Sequence, residues 1–346
     1  MNLDLTDEHR LLEGSVREWA SQAVAPRIRD LDRAHQFDRN LLPQMAELGL
    51  LGVCIPPAYG GAGMDYLSLG LACEELEAVD TSLRVILSVH VALNSLTLLT
   101  WGTEDQKARY LVPQAQGTRV ATFGLTEPAA GSDVRGLQSV AVRRGGTWVI
   151  TGEKTWISLD EVEVPDANLL GQPGEGFKIA MFALDQGRYS VAAGATGLIR
   201  ACRDASAAYA LDRKTFGIEI AQHQLVKEMI ARMEADYQVS RLLWMRCGWL
   251  KNEGRRCSRE ASLAKWVSTT ASERAAGDAV QVHGANGYSD DYPVGRYYRN
   301  CKGAVIYEGT REIHALMQAD YVLGYRTDRP TRCALPPWPG PAPAEA

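Results

Sequence analysis

The stretch Arg119-Val120-Ala121-Thr122-Phe123-Gly124-Leu125-Thr126-Glu127-Pro128-Ala129-Ala130-Gly131-Ser132-Asp133 marks the place where the sequence stops repeating at helical spacing. Val120 to Leu125 is rich in β-formers and ends at Thr126, and Gly131-Ser132-Asp133 is a turn signal. Two more β-rich runs follow, Gln138 to Arg143 and Thr147 to Thr151, divided by Gly145-Gly146, and a short one, Glu161-Val162-Glu163-Val164, stops at Pro165. The β part is small and is placed at 119–172. Upstream, from Thr6 to about Gln116, apolar residues recur at helical spacing, as in Leu11, Leu12, Val16 and Trp19, and again in Leu83, Val85, Ile86, Val89 and Leu93. Thr103 and Gln106 fit a capping box just after Gly102, which ends the preceding helix. Pro56-Pro57 and Ala58-Tyr59-Gly60-Gly61-Ala62-Gly63 form a loop between two helical groups. Downstream of Gly174-Glu175-Gly176, helical periodicity persists to about Tyr325. Leu225, Met229, Met233 and Tyr237 make one apolar face of a long helix there, with Val226 and Ile230 beside them. The expected fold is mostly α with a small β domain: helices over 1–118, β-strands over 119–172 and a helical bundle over 173–326. Leu335-Pro336-Pro337-Trp338-Pro339-Gly340-Pro341 suits neither a packed helix nor a central strand, so 327–346 is read as a disordered tail.

The whole chain narrows the function classes. Its 346 residues suffice for two or three packed parts with a real core. A formal net charge of −5, with 23% charged residues, offers no basic field for nucleic acid. The first residues lack a basic start followed by an apolar run, and no apolar stretch is long enough to span a bilayer, so a cytoplasmic protein is expected. Seven cysteines without C-x-x-C spacing suit reduced thiols and indicate no metal site.

Five segments carry residue types suited to chemistry, and each has a plainer alternative. Thr126 followed by Gly131-Ser132 offers hydroxyls and free backbone N–H groups to a polar heterocycle or phosphate, and it also makes an ordinary β-turn. Trp156 in Gly152-Glu153-Lys154-Thr155-Trp156-Ile157-Ser158 suits either a flat ligand or a core. Arg213-Lys214-Thr215-Phe216-Gly217 with His223-Gln224 reads as a ligand-reaching loop or as a surface ion pair with a packed ring. Gln281-Val282-His283-Gly284-Ala285-Asn286-Gly287-Tyr288 is a glycine-rich turn after a helix. In Tyr307-Glu308-Gly309-Thr310, Glu308 is either a solvated carboxylate or a base; Gly309 lets backbone pass close to a ligand.

Taken in this order, the five segments resemble the acyl-CoA dehydrogenase family of flavoproteins, from about Thr6 to Arg326. The resemblance implies an N-terminal helical domain, a middle β domain and a C-terminal four-helix bundle, with FAD as cofactor and an acyl-CoA as substrate. It implies that Phe123, Leu125, Thr126, Ser132, Trp156 and Ser158 lie along the flavin, Thr126 near N5, with Ser132 also near the acyl-CoA. It implies that Arg213, Phe216, Gln224, Gln281, Gly284 and Ala285 reach the FAD of a neighbouring subunit, and hence a homo-oligomer, most simply a tetramer. Ala285 stands where the family more often has glycine. Glu308 corresponds to the base that takes the α proton, its own backbone N–H acting with a flavin ribityl hydroxyl to polarise the thioester carbonyl; Thr310 and Glu312 correspond to flavin contacts, and Gly309, Asp185 and Arg188 to acyl-CoA contacts. Some relatives carry the base on an earlier helix, where this chain has Gly187. Electron-transferring flavoprotein is the implied acceptor.

Two features depart from the common pattern. Leu159-Asp160-Glu161 joins segments that the family separates by several strands, so the middle β domain is expected to be shortened and its flavin side wetter. A weakened flavin or acyl-CoA binder, or an oxidase or monooxygenase on the same fold, is the alternative that this opens. Secondly, Arg84 and Ser88, with Glu77 nearby, match residues that bind the distal carboxylate in glutaryl-CoA dehydrogenases, and His314-Ala315-Leu316 leans the same way. Arg84 can equally pair with Glu77 or Asp80.

Overall fold

The computed structural model describes residues 3–155 and 157–328, with side chains of 157–161 excepted. Trp156, the side chain of Ser158, Cys333 and the Pro-rich stretch past residue 328 therefore lie outside the described residues. The N-terminal part holds α1 (Asp7–Trp19), α2 (Ala25–Ala34), α3 (Leu41–Glu47), α4 (Tyr66–Val79), α5 (Thr81–Leu87), α6 (Leu96–Trp101), α7 (Glu104–Gln106) and α8 (Val112–Ala115). An antiparallel sheet follows in the order β1 (Val140–Arg144), β2 (Thr147–Lys154), β3 (Ile157–Pro165). The C-terminal part holds α9 (Gly176–Asp212), a hairpin of β4 (Lys214–Thr215) and β5 (Ile218–Glu219), then α10 (Gln224–Asn252), α11 (Ser258–His283), α12 (Val294–Ala304) and α13 (Arg311–Leu323).

Local signals start and stop these helices. Thr6 Oγ1 accepts from the His9 amide at 3.3 Å while His9 Nδ1 accepts from the Thr6 amide at 3.2 Å, a reciprocal cap on α1. Thr103 and Gln106 make the second such box, as their spacing predicts, and Gly102 closes α6. Along α10 the predicted stripe turns inward at Met233 and Tyr237, but Leu225 at its start is 79% exposed.

At the centre, α4 is buried on every side from Tyr66 to Glu77, and α9 and α10 pack around it. A helix enclosed in this way must satisfy its polar groups internally. Glu75 accepts from Arg17 of α1 and Arg200 of α9, and Glu74 accepts from Arg241, Tyr237 and Trp244 of α10. Burial raises the Glu74 carboxyl, whereas hydrogen bonds from Arg200 and Arg17 outweigh burial at Glu75 and hold it below the ordinary range. Close approach of α9 depends on Gly197, where a Cβ would collide with the Glu74 backbone carbonyl.

The structure corrects two expectations. Val120 to Leu125 is not a strand: residues 121–126 join no ladder, and their ties are Ala121 N to His90 Nδ1 at 3.0 Å, Thr155 N to Thr126 O at 2.8 Å and Lys154 Nζ to Leu125 O at 3.0 Å. A strand needs a neighbour along its length, and the three-stranded sheet offers none there. Instead, the two β segments on either side of Leu159-Asp160-Glu161 merge into the single strand β3, paired with β2 from Lys154↔Ile157 to Thr147↔Pro165. The second correction concerns apolar length. The helical run Thr81–Trp101 has the length and mean hydropathy (1.5) of a membrane span, yet 67% of its apolar window is buried within the protein, as a core helix requires.

Gly197→Ala is expected to destabilise the fold by about 1–3 kcal/mol through overpacking, while Gly14→Ala, on an open face of α1, should stabilise it by about 0.5–1 kcal/mol. Urea unfolding of the two variants beside the parent checks the contrast.

Candidate active site

Glu308 sits in the turn between α12 and α13, where it and Gly309 adopt φ of +58° and +100°. A positive φ is costly for glutamate, so the turn is held by its surroundings. Arg188 Nε of α9 donates to the Glu308 carbonyl at 3.3 Å, and Lys265 Nζ of α11 donates to the Gly309 carbonyl at 2.6 Å. Gly309 also packs against His314, whose Nε2 would stand 3.1 Å from a Cβ there. The backbone thus aims the Glu308 side chain at α9. At Gly187 of that helix, an added Cβ would collide with the Glu308 carboxylate. The carboxylate fills the space that a side chain at residue 187 would occupy.

The residue as a whole is partly accessible, but its Oε2 is shut off from solvent and has no hydrogen-bond partner. Burial pushes the Glu308 carboxyl up to about 7, against the pull of Arg84, Lys265 and Arg188. The carboxylate stands on the wall of a cavity of about 260 Å³ whose lining includes Arg84, Ser88, Phe123, Leu125 and Thr126. Arg84, buried at the end of α5, donates to Glu77 and to the Tyr307 hydroxyl. Burial opposes the Arg84 charge, but Glu77 and Tyr307 more than offset it, and burial raises the Tyr307 phenol to about 12. Ser88 shares a hydrogen bond with Ser190, which in turn donates to the Gly187 carbonyl at 2.9 Å. Arg188 donates to Asp185 at 2.7 Å, and Asp185 also accepts from Ser258.

The predicted residues therefore fall into separate places. Glu308, Gly309, Arg84, Ser88, Phe123, Leu125, Thr126, Asp185 and Arg188 converge around the cavity and the turn beside it. Ser132 is exposed on the loop before β1. The Thr310 hydroxyl accepts from the Ile313 amide at 3.4 Å and caps α13, while Glu312 is exposed and paired with Arg311. Arg213, Phe216, Gln224, Gln281, Gly284 and Ala285 gather at the opposite end of the bundle and are exposed. Along α9 they lie about 25 residues beyond Gly187, roughly 38 Å at ~1.5 Å per residue. Phe216 is 96% exposed and Tyr288 93% exposed at that end.

Sequence reasoning passed over three residues of the site. Lys265 is one; its signal was a lysine within the small-residue stripe of α11 that includes Ala261, Ala264, Ser268 and Ser272, all buried. Glu127 is the second: it accepts from the Gln138 amide at 2.6 Å, the Ser139 amide at 3.1 Å and Lys154 Nζ at 2.8 Å, and these donors hold its carboxyl down at about 2. It ties the Thr126 segment to β2. Tyr307 is the third, a partner of Arg84 rather than a mere flank of Glu308.

Comparison with known proteins matches the order of helical, small β and helical parts along the chain. Family models for the acyl-CoA dehydrogenase N-terminal, middle and C-terminal domains match residues 6–118, 122–165 and 174–323. The chain belongs to the acyl-CoA dehydrogenase family. It is 35% identical to a probable acyl-CoA dehydrogenase of Bacillus subtilis (strain 168), covering 93% of this chain and 100% of that one. Among solved structures, butyryl-CoA dehydrogenase from Megasphaera elsdenii matches with a TM-score of 0.90 at 30% identity, covering 93% of this chain and 100% of that chain. A glutaryl-coenzyme A dehydrogenase in its glutaryl-CoA complex matches with a TM-score of 0.91 at 31% identity, covering 94% and 98%. The Bacillus alignment runs over 379 positions, more than the 346 residues of this chain, so that relative carries residues that are missing here. Like the rest of the family, this acyl-CoA dehydrogenase is an FAD-dependent oxidoreductase acting on CH–CH groups. Its residues fit that cofactor at one point of local chemistry: among the described residues, no hydrogen bond uses the backbone N–H groups of 122–126, beside Thr126 on the cavity that also holds Glu308.

Gly187→Ala should push the Glu308 carboxylate off its position and lower kcat by about 100-fold, with little change in melting temperature because the colliding group is the end of a flexible side chain. Steady-state turnover beside a thermal melt checks this.

Proposed function

We propose that this acyl-CoA dehydrogenase converts a short-chain acyl-CoA to the trans-enoyl thioester, with Glu308 as the base. The observation that carries the reading is the buried, unpartnered Glu308 Oε2 on the wall of the cavity. A carboxylate shielded from water and raised toward neutrality is matched to a weakly acidic C–H. Glu308 takes the α hydrogen as a proton, and the pair of electrons left on the α carbon becomes the second bond to the β carbon. Bound FAD supplies the acceptor for the β hydrogen, which departs with its electron pair. No hydrogen bond within the described residues uses the Glu308 N–H, which leaves that donor for the thioester oxygen. Arg188 and Lys265 hold the turn, and Gly187 leaves room for the carboxylate.

The cavity of about 260 Å³ supports a short acyl group. A second reading, glutaryl-CoA, is favoured by one observation: Arg84 lines that cavity and spends Nε and Nη2 on Glu77 and Tyr307, with Nη1 left over for a distal carboxylate. The exposed Phe216 and Tyr288, far from Glu308 in one chain, support a homotetramer in which a neighbour's hairpin completes the cofactor site. Electron-transferring flavoprotein is the acceptor that this reading entails. Free, buried thiols at Cys54, Cys73, Cys202, Cys247, Cys257 and Cys301 suit the cytoplasm.

The test is anaerobic. Purified protein should be yellow and should bleach on addition of butyryl-CoA; Glu308→Gln should stay yellow and unbleached. A colourless protein, or one that no acyl-CoA bleaches, identifies a weakened binder and sinks the dehydrogenase reading. The bleaching rate should rise with pH through about 7, since burial raises the Glu308 carboxyl and only its deprotonated form accepts a proton. A rate that falls over that range excludes Glu308 as base.

Arg84→Ala decides the acyl group. It should cost some stability in either case, because Glu77 is left buried without its cation, a loss of about 3–5 kcal/mol. Bleaching by glutaryl-CoA lost selectively over butyryl-CoA establishes the dicarboxylate substrate; an equal effect on both removes it.

A further inference from the structure

Lys265 lies in the first third of α11 with 0% of its surface exposed. Lysine is seldom fully buried without a carboxylate. Here its one hydrogen bond among the described residues goes to a backbone oxygen, the Gly309 carbonyl, at 2.6 Å. That carbonyl follows directly on Glu308. The two residues occupy successive positive φ values, +58° and +100°, a turn that is strained at the glutamate and persists only where something holds it. Two cations do so, on adjacent carbonyls: Arg188 from α9 on Glu308 O and Lys265 from α11 on Gly309 O. Arg188 is also engaged by Asp185, while no second hydrogen bond of the Lys265 ammonium group is found among the described residues.

We propose that Lys265 is a positioning residue of this reaction: its ammonium group clamps the Gly309 carbonyl, and so holds Glu308 in the left-handed turn that sets its carboxylate against Gly187. The assignment rests on Glu308 being the base. A second consequence is electrostatic. Glu308 is faced by Arg84 from α5, Arg188 from α9 and Lys265 from α11, with Tyr307 and the neutral His314 on its own side; Lys265 is faced by Glu308, Arg84, Arg188 and Glu312. Arg84 is already matched by Glu77 and Arg188 by Asp185. Lys265 is thus the cation left for the base. Burial pushes Lys265 down to about 7 and Glu308 up to about 7, so each charge depends on the other near neutrality.

The experiment uses the flavin-loaded holoenzyme, with butyryl-CoA as probe, and three variants. Lys265→Met keeps the stem and removes both the donor and the charge. Lys265→Gln keeps a donor and is small enough to fold in the same space. Glu308→Gln tests the base itself. For Lys265→Met, kcat should fall by about 100-fold with KM for butyryl-CoA changed by less than about threefold, and the acid limb of the pH profile should move up by roughly one unit, since a carboxylate without its cation holds its proton longer. Lys265→Gln should recover about tenfold of that loss, through its amide donor, and should retain the shifted limb. If Lys265→Met fails to fold, the limb in Lys265→Gln decides alone. An unshifted limb with parental kcat in either folded variant overturns the proposal, and so does a raised KM with kcat preserved. Full turnover by Glu308→Gln overturns the base assignment instead; loss of turnover in Glu308→Gln beside a parental Lys265→Gln overturns only the role of Lys265.

Discussion

Three glutamates in four residues of a helix without solvent are a heavy electrostatic load, and the fold is arranged around it. Glu74, Glu75 and Glu77 on α4 are each buried, and each is met by arginine from another element: Arg241 of α10, Arg17 and Arg200 of α1 and α9, and Arg84 of α5. An ion pair of this kind contributes little net stability over apolar packing, but breaking one leaves a charge stranded, at about 3–5 kcal/mol. The consequence is specificity of assembly. No helix of the set can slide along α4 without uncovering a carboxylate. Because Arg84 also donates to Tyr307, the same row of charges reaches the turn that carries Glu308. The helical scaffold and the turn that carries Glu308 are in this sense one electrostatic unit.

The middle domain shows what happens when such support is shortened. Relatives align over more positions than this chain has, and the middle-domain match stops at residue 165. Strand β1 is exposed along its whole length, and residues 121–126 have lost the ladder that their composition suits. What remains is held by side chains in place of strands. Glu127 gathers two backbone amides and Lys154, and Lys154 reaches the Leu125 carbonyl. Charged hydrogen bonds of this type are stronger than neutral ones, and they keep Thr126 on the cavity although the sheet beneath it is small.

Much of this was legible in the sequence, for physical reasons that differ by element. The long helices of the bundle announce themselves through periodicity because one face must be apolar, as Met233 and Tyr237 are. The capping box at Thr103 was legible because it is a local hydrogen-bond exchange over three residues. Glu308 and Gly187 were legible as separate features; that the carboxylate of one occupies the side-chain space of the other is a contact across about 120 residues that no window reveals. Val120 to Leu125 was misread because β-propensity reports fitness for a pleated surface, and a strand also needs its neighbour. Lys265 was passed over for a related reason. A lysine on a helix is ordinarily a solvated residue, and only the burial of its face makes it otherwise.

The contrast between Glu75 and Glu308 states the logic of the site. The Glu75 carboxylate and the Oε2 of Glu308 are both shut away from water. Burial would raise the Glu75 carboxyl, but hydrogen bonds from two guanidinium groups outweigh it and hold the carboxyl below its ordinary range, with its lone pairs taken up. Glu308 has cations nearby, but Arg188 and Lys265 point at the backbone carbonyls beside its carboxylate, and Oε2 is left without a donor. Charges at that remove lower the cost of ionisation without tying up the lone pair that the proposed base uses. Moving either cation onto the carboxylate would improve the local hydrogen bonding and spoil the proposed base. A site that leaves a polar atom unsatisfied is less stable than one that does not. The strained turn, the glycine at 187 and the lysine committed to a carbonyl are the means by which this chain tolerates that cost at one residue while avoiding it along α4.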